Sequence, residues 1–232
     1  MQNQFQNDLE IEHLIRYAYT LPYFWNIMFK KGSVIPAESM EEQLKGIDLY
    51  VDGISVDEKC STQTFVNMKK KPPTWAVEIL SGWDSDGWFI DRTKVTQNYM
   101  FIQLYEWAGP MENVNGYMKP VQNIDPSRFV VYTDKLLFMY ENRWKLMDII
   151  QYVTSENMQS LREKALSLRN DGDKLELGNS GMRLVRTEVN GQHPVNLVIP
   201  VKYHEDASEA PDYLIDIKES MLCRIQKNLH AL

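Results

Sequence analysis

Apolar and polar residues alternate on both sides of Asp52-Gly53, within the stretch Gly46–Lys59. Such alternation is typical of half-buried strands, and an Asp-Gly pair between two alternating runs is the strongest short-range signal for a two-residue hairpin turn. The pattern therefore predicts two antiparallel strands. In the register that this turn sets, Asp48 faces Asp57 across the hairpin.

Because side chains alternate with a period of two along a strand, this register gives the hairpin two different faces. The first face is apolar, and we expect it to be core: Ile47, Leu49, Val51, Ile54 and Val56. The second face is polar: Asp48, Tyr50, Ser55, Asp57 and Lys59. The same alternation points Glu58 toward the apolar side, away from the two aspartates.

Periodicity and turn residues predict the remaining elements. Helices are predicted over about 8–19, 23–30 and 144–152, then for a charged segment capped by Thr154 or Ser155, and last for an amphipathic run after Pro211 that contains Leu214, Ile215, Ile217, Met221, Leu222 and Ile225. Strands are predicted over 74–80, 129–133 and 136–140, with a second hairpin over 185–201 around Asn190-Gly191. Residues 81–91 suggest a turn-rich connection to a short aromatic strand, and 96–105 fit a strand or a helix equally well.

Length and composition indicate a folded protein. The chain has 232 residues, 44% of them hydrophobic and 25% charged, which are values of globular domains rather than disordered chains. No repeat or linker divides the sequence, so we expect one domain over 1–232 whose C-terminal part, 106–232, completes the fold with further strands and helices. The class expected is α/β (α+β).

Charge and targeting signals narrow the function classes. The net charge of -7 argues against a protein that coats nucleic acid nonspecifically, because neutralised phosphates supply most of that binding. No run of 18 apolar residues and no signal peptide is present, so we expect no membrane partner. Two cysteines without paired spacing fit a reducing compartment, and we expect a cytoplasmic protein.

The predicted neighbours Asp48 and Asp57 carry the strongest chemical signal. Opposed side chains in such a ladder have Cβ atoms roughly 4.5 to 5.5 Å apart, and two carboxylates about 5 Å apart repel by roughly 3 kcal/mol at an effective dielectric near 20. A divalent cation between them would offset this repulsion, and Lys59 adds a further positive charge. Hard oxygen ligands suit Mg²⁺ or Mn²⁺ together with a substrate phosphate, so the pair predicts phosphodiester chemistry.

The loop before strand 74–80 carries a dense basic patch, formed by Lys69, Lys70 and Lys71. These lysines could contact the phosphates of a nucleic acid, which we expect to be DNA. An ordinary solvated loop that blunts a sheet edge explains them equally well. The four histidines have no metal-ligand spacing and are not assigned a role.

The residues around the hairpin resemble the PD-(D/E)XK nucleases. Asp48 stands at the first aspartate of that motif and Asp57-Glu58-Lys59 at its (D/E)-x-K, whereas Ile47 replaces the usual proline. The resemblance covers about residues 8–105 and extends to a group of bacterial and phage-borne proteins. The segments that carry this narrower likeness are Gln43–Asp48, Val56–Lys59, Val77–Ile79 and Gly87–Phe89.

The resemblance implies a restriction-endonuclease-like mixed sheet flanked by helices, and specific roles for site residues. Asp48 and Asp57 would hold Mg²⁺ or Mn²⁺, which activates a water, and Lys59 would orient or help deprotonate that water or neutralise the scissile phosphate. Glu78, on strand 74–80 and in phase with its polar side, would be a further acidic ligand. Glu12 on the first helix is a weaker candidate, for which an ordinary surface glutamate is favoured.

The expected function is thus a metal-dependent endonuclease acting on DNA, and a two-fold dimer would suit cleavage of both strands. Two alternatives remain open. A catalytically silent relative would bind nucleic acid or a partner protein through the same scaffold. In an interaction or structural protein, the hairpin pattern would be fortuitous.

Overall fold

A computed structural model describes residues 34–61, 74–107, 109–114, 117–120, 133–188, 191–208 and 213–216. These residues form a mixed α/β fold, which confirms the predicted class. Their strands are β1 Val34–Pro36, β2 Leu49–Val51, β3 Ile54–Ser61, β4 Thr74–Leu80, β5 Asn98–Trp107, β6 Met111–Val114, β7 Tyr117–Pro120, β8 Thr133–Asn142, β9 Lys174–Glu176, β10 Arg183–Arg186, β11 Val195–Pro200 and β12 Tyr213–Asp216. Their helices are α1 Met40–Leu44, α2 Arg143–Thr154, α3 Met158–Ser167 and α4 Val201–Ala207.

The predicted hairpin is confirmed in its turn and in its register. Asp52 and Gly53 both have positive φ, 49° and 83°, as a type I′ turn requires, and this turn matches the twist of the flanking strands. Leu49 pairs with Val56. Both of these residues are fully buried, so the predicted apolar face is indeed core.

The hairpin belongs to a six-stranded sheet in the order β1-β2-β3-β5-β8-β12. Strand β5 runs parallel to β3 and antiparallel to β8. This pairing on both sides decides the ambiguous segment 96–105 in favour of a strand, because tertiary context overrides a weak local preference. The predicted strand 136–140 lies inside β8, which is longer at both ends.

A second sheet, antiparallel and in the order β4-β11-β10-β9, contains the predicted strand 74–80 as β4. The predicted second hairpin is the pair β10 and β11, and Asn190 of its predicted turn lies outside the described residues. The main hydrophobic core lies between the two sheets and the helices, where the rings of Trp75 and Phe101 meet edge to face at 5.3 Å.

Helix α2 confirms the helix predicted over 144–152. The N-cap predicted for the next helix, Thr154 or Ser155, is wrong. Ser155 has a left-handed φ of 62° and ends α2, whereas Asn157 caps α3 through its side chain, which accepts a hydrogen bond from the Ser160 amide at 2.8 Å. Asn is as good an N-cap as Ser. A short connection, residues 155–157, therefore separates α2 from α3.

Two further predictions are wrong in the described part of the chain. Residues 213–216, expected in an amphipathic helix after Pro211, form β12 and pair with the edge of β8. The unpaired edge of that long strand offers main-chain partners that helical periodicity does not reveal. Residues 81–91 form the expected turn-rich connection, but the short aromatic strand expected with it is absent from this segment, which has only an isolated bridge between Asp86 and Leu80.

Other predictions lie outside the described residues. They are the helices over 8–19 and 23–30, the candidate Glu12, the basic patch Lys69–Lys71, most of the strand 129–133 and the end of the last helix beyond 216. In the described part of the chain, no helix is both long enough and apolar enough to span a membrane.

Candidate functional site

The two aspartates of the hairpin meet on one face of the six-stranded sheet, as the register predicts. The Asp48 amide, just before β2, donates to the Val56 carbonyl of β3 at 2.9 Å. The Asp48 side chain hydrogen-bonds with the Asp57 side chain, and this contact favours the protonated form of Asp57. The predicted pairing is therefore present, whereas a metal-binding role remains a prediction.

Asp57 lies in a strongly perturbing environment. It is only 4% exposed, and burial, which penalises the charged form, raises its pKa to about 7. Lys59 opposes this rise, because its ammonium lies 2.7 Å from Asp57 Oδ1. The neighbouring Asp48 raises the pKa further through charge and hydrogen bonding. A carboxyl that titrates near neutral pH is typical of functional sites.

Asp48 is held in place by the backbone of the opposite strand. The Glu58 amide donates to Asp48 Oδ2 at 2.8 Å. Glu58 itself follows Asp57 by one residue, so its side chain points to the other face of the sheet, as predicted. Asp48 is partly exposed, whereas Asp57 is buried, so the pair is open toward solvent from the Asp48 side.

Lys59 links the aspartate pair to a loop from the other sheet. Its ammonium lies over the ring of Trp88, 4.7 Å from the ring centre. The Trp88 amide in turn donates to the carboxylate of Glu78 on β4. Burial raises the pKa of Glu78, and the Trp88 amide and the Lys59 charge oppose that rise. Glu78 thus joins the site through Lys59 and Trp88.

Close backbone packing holds this loop against β4. The Gly87 amide donates to the Ile79 carbonyl at 2.8 Å, and the Phe89 amide donates to the Glu78 carbonyl at 3.2 Å. A Cβ atom on Gly87 would lie 2.5 Å from the Glu78 carbonyl oxygen. Only glycine permits this approach, which places Trp88 beside Glu78.

Arg143, at the start of α2, fixes the rest of the same loop. Its side chain is 2% exposed and donates to the carbonyls of Phe89, Asp91 and Lys94 at 3.0, 3.0 and 2.9 Å. One buried cation therefore satisfies three backbone acceptors that no strand partner serves. The loop that carries Trp88 is therefore held to β4 at its start and to Arg143 of α2 along the rest of its length.

A buried polar row continues from Asp57 across the sheet. Asp57 pairs with Tyr99 on β5, and Tyr99 pairs with Glu141 on β8, so the three side chains share one face. Nδ1 of His204 on α4 lies 2.8 Å from both carboxylate oxygens of Glu141, with both residues fully buried. These residues give no spacing signal in the sequence. The row depends on strand pairings that are distant along the chain.

The structure thus brings Asp48, Asp57 and Lys59 together, and it places Glu78 on the other sheet, near enough for the Lys59 charge to lower its pKa. In the described ranges, no group of three or more His, Cys, Asp or Glu side chains is arranged to hold a metal ion. Sequence reasoning missed Trp88 and Arg143 as parts of the site. The Gly87-Trp88-Phe89 segment is a sequence signal for Trp88. No local sequence pattern marks Arg143.

Comparison of the chain with protein-family models, with curated proteins and with solved structures finds no match. The resemblance to PD-(D/E)XK nucleases therefore rests on the motif residues themselves. Any function must be inferred from the geometry of Asp48, Asp57, Lys59 and Glu78.

Proposed function

We propose that this protein is a metal-dependent nuclease that hydrolyses phosphodiester bonds of DNA. The observation that carries the proposal is the contact between Asp48 and Asp57 on one sheet face, with Lys59 at 2.7 Å from Asp57. Two touching carboxylates beside a lysine form a small site of oxygen donors and one cation. The carboxylates can bind the cation that accompanies a phosphodiester, and the ammonium can bind the phosphate oxygens.

The donor set suits a hard divalent cation. Carboxylate oxygens are the ligands that Mg²⁺ and Mn²⁺ prefer. Burial, with a smaller contribution from Asp48, raises the pKa of Asp57 to about 7, so ionisation of this carboxyl is costly and a bound cation would favour it. Asp48 and Asp57 would hold the ion as a pair, because Glu78 does not form a three-ligand group with them among the described residues. When bound, the ion would neutralise the pair, lower the pKa of water and stabilise charge that develops on the phosphoryl group.

The protein's own residues would orient the substrate. The Lys59 side chain is 27% exposed, and an ammonium has three donor positions, of which Asp57 uses one. The others can donate to phosphate oxygens. Glu78 is partly buried with a raised pKa, which suits a carboxylate that accepts a proton during hydrolysis.

The test is cleavage by the full chain of plasmid DNA, single-stranded DNA and RNA, each in Mg²⁺, in Mn²⁺ and in EDTA. We expect DNA cleavage in a divalent cation, and its loss by at least about 100-fold in Asp48→Asn and in Asp57→Asn. Asp52→Asn is the matched control, because it makes the same change on the exposed turn of the same hairpin. Asn also tolerates the positive φ of this position.

Cleavage by Asp57→Asn at the wild-type rate would contradict the proposal. Equal loss in Asp52→Asn would show that the change of charge, rather than the position, matters. Cleavage of RNA alone would keep the chemistry and correct the substrate.

One observation favours a second candidate, a nuclease-like module that binds nucleic acid without turnover. Lys59 already pairs with Asp57, whose side chain is only 6% exposed, so the fold supplies part of the balancing charge internally. This candidate predicts DNA binding that weakens steeply with salt and no cleavage in any divalent cation. Binding measured at several salt concentrations in EDTA separates the two candidates when it is compared with the cleavage assay.

A further inference from the structure

We infer that Trp88 is a positioning residue that fixes the Lys59 ammonium and the Glu78 carboxylate relative to each other. Its effect on hydrolysis rests on the proposed function, whereas its effect on Lys59 does not. Trp88 contacts these two residues with different groups. The indole ring lies under the Lys59 ammonium, and the backbone amide donates to Glu78.

The ring has the geometry of a cation–π contact. Lys59 Nζ lies 4.7 Å from the ring centre, within the distance of about 6 Å at which the ring quadrupole attracts a cation. Tryptophan gives the strongest such contact among the aromatic residues. Asp57 holds the same ammonium from a second direction at 2.7 Å. Two contacts from different elements therefore define the position of a side chain that is otherwise flexible.

The indole ring is itself fixed by neighbouring rings. It meets Tyr99 edge to face at 5.0 Å and Phe89 at 6.0 Å, and it lies 6.4 Å from Phe101. Tyr99 and Phe101 belong to β5, next to the strand that carries Lys59. The ring is thus packed against the sheet that holds the aspartate pair. This packing fixes the position of the loop relative to that sheet.

The backbone of Trp88 is fixed by the other sheet. Gly87 and Phe89, on either side, donate to carbonyls of β4, and Gly87 leaves no room for a side chain between the loop and Glu78. The Trp88 amide near Glu78 is therefore held by β4, whereas the Trp88 ring is packed against β5. Trp88 is the residue through which the cation on one sheet and the carboxylate on the other are held together.

The first measurement is the chemical shift of the Lys59 ε-methylene protons, in the full chain with ¹³C-labelled lysine and assigned with Lys59→Arg. A methylene above an indole ring is shifted upfield. We expect this shift to vanish in Trp88→Leu and to persist, reduced, in Trp88→Phe. Trp83→Leu is the matched control, because Trp83 also lies near a cation, Arg186 at 4.6 Å, and should leave the Lys59 shift unchanged.

The second measurement is DNA cleavage by the same variants. We expect kcat to fall about tenfold in Trp88→Leu, as for a lost cation–π contact in a partly buried site, with KM changed by less than about twofold. Trp88→Phe should recover most of this loss because it restores an aromatic face. A merely structural role would instead make the loss follow the fall in melting temperature across the three variants.

The outcomes separate this inference from the proposed function. If the wild type cleaves DNA but Lys59 has ordinary shifts, or if Trp88→Leu cleaves at the wild-type rate, the inference is wrong and the nuclease stands. If the wild type cleaves nothing in any divalent cation, the nuclease falls and the catalytic role of Trp88 falls with it. In that case, an upfield Lys59 shift that Trp88→Leu removes would still support the placement of the ammonium.

Discussion

Lys59 Nζ lies 2.7 Å from Oδ1 of Asp57, two residues earlier on the same face of β3. This ion pair supplies within the fold part of the positive charge that the aspartate pair needs. Burial nevertheless outweighs it, and the pKa of Asp57 rises to about 7. The charge of the pair therefore changes in the neutral pH range, with consequences for stability and for cation binding.

Asp57 should make the protein less stable as the pH rises from about 4 to about 7. Its pKa is about 7 in the folded state against 3.8 as the ordinary value, so the folded state binds more protons over this range and the free energy of unfolding falls. Asp57→Asn cannot ionise and should lack this fall. At pH 8, we expect it to exceed the wild type by a few kcal/mol, with about 4 kcal/mol as the upper limit.

Urea unfolding in EDTA at pH 5, 6, 7 and 8 measures this difference. Asp52→Asn serves as the control, because Asp52 is exposed and its substitution should leave the pH dependence unchanged. Parallel stability curves for the wild type and Asp57→Asn would show that the carboxyl titrates normally.

Mn²⁺ should stabilise the folded protein more at pH 8 than at pH 6. A cation and a proton compete for the Asp57 carboxylate, and its deprotonation near pH 7 favours the cation. An ion at about 100 times its Kd adds about 2.7 kcal/mol to the free energy of unfolding. Thermal melts with and without Mn²⁺ measure this, and Asp48→Asn and Asp57→Asn should lose the shift. A Mn²⁺-induced shift in melting temperature that is the same at both pH values would contradict a site at this pair.

The hairpin and its acid pair could be predicted from sequence because their determinants are local. Asp52 and Gly53 accept the positive φ that the turn needs, and alternation then sets the register for the whole ladder. Strand β4 was equally clear from the alternation of Trp75, Val77 and Ile79 with less buried residues. In each case, one short segment contained both the periodicity and its limits.

The surroundings of the acid pair could not be predicted, since they arise from contacts between distant segments. Arg143 reaches carbonyls about fifty positions earlier in the chain, and His204 reaches Glu141 across 63 positions. The sequence predicts a helix at residues 213–216, because the strand that pairs with them, β8, lies far away in the chain and leaves no local signal. Local patterns give the elements, whereas burial, which raises the pKa of Asp57, depends on how those elements pack.

Gly87→Ala should destabilise the protein by about 2 kcal/mol or more. The added Cβ would lie 2.5 and 2.7 Å from the oxygen and carbon of the Glu78 carbonyl, which are strand backbone and cannot rotate away. The loop must then leave β4, so cleavage should fall as well. Gly82→Ala is the control on the same connection, because its Cβ would meet no atom within 4 Å. Urea unfolding of both variants tests this, and equal stabilities would contradict the close approach.

Arg143→Met should destabilise the protein by about 3 kcal/mol, because it removes the guanidinium donors of three carbonyls while it keeps much of the side-chain volume. Among the described residues, only the Asp91 carbonyl would keep a second donor, the Lys94 amide. Amide exchange over 87–95 should accelerate more than exchange in β4, since the loop loses its tie to α2. Arg92→Met, exposed on the same loop, should change stability by less than about 0.5 kcal/mol. Urea unfolding and hydrogen exchange measure both effects. Faster exchange spread evenly over the sheet would mean that Arg143 stabilises the whole fold rather than this loop.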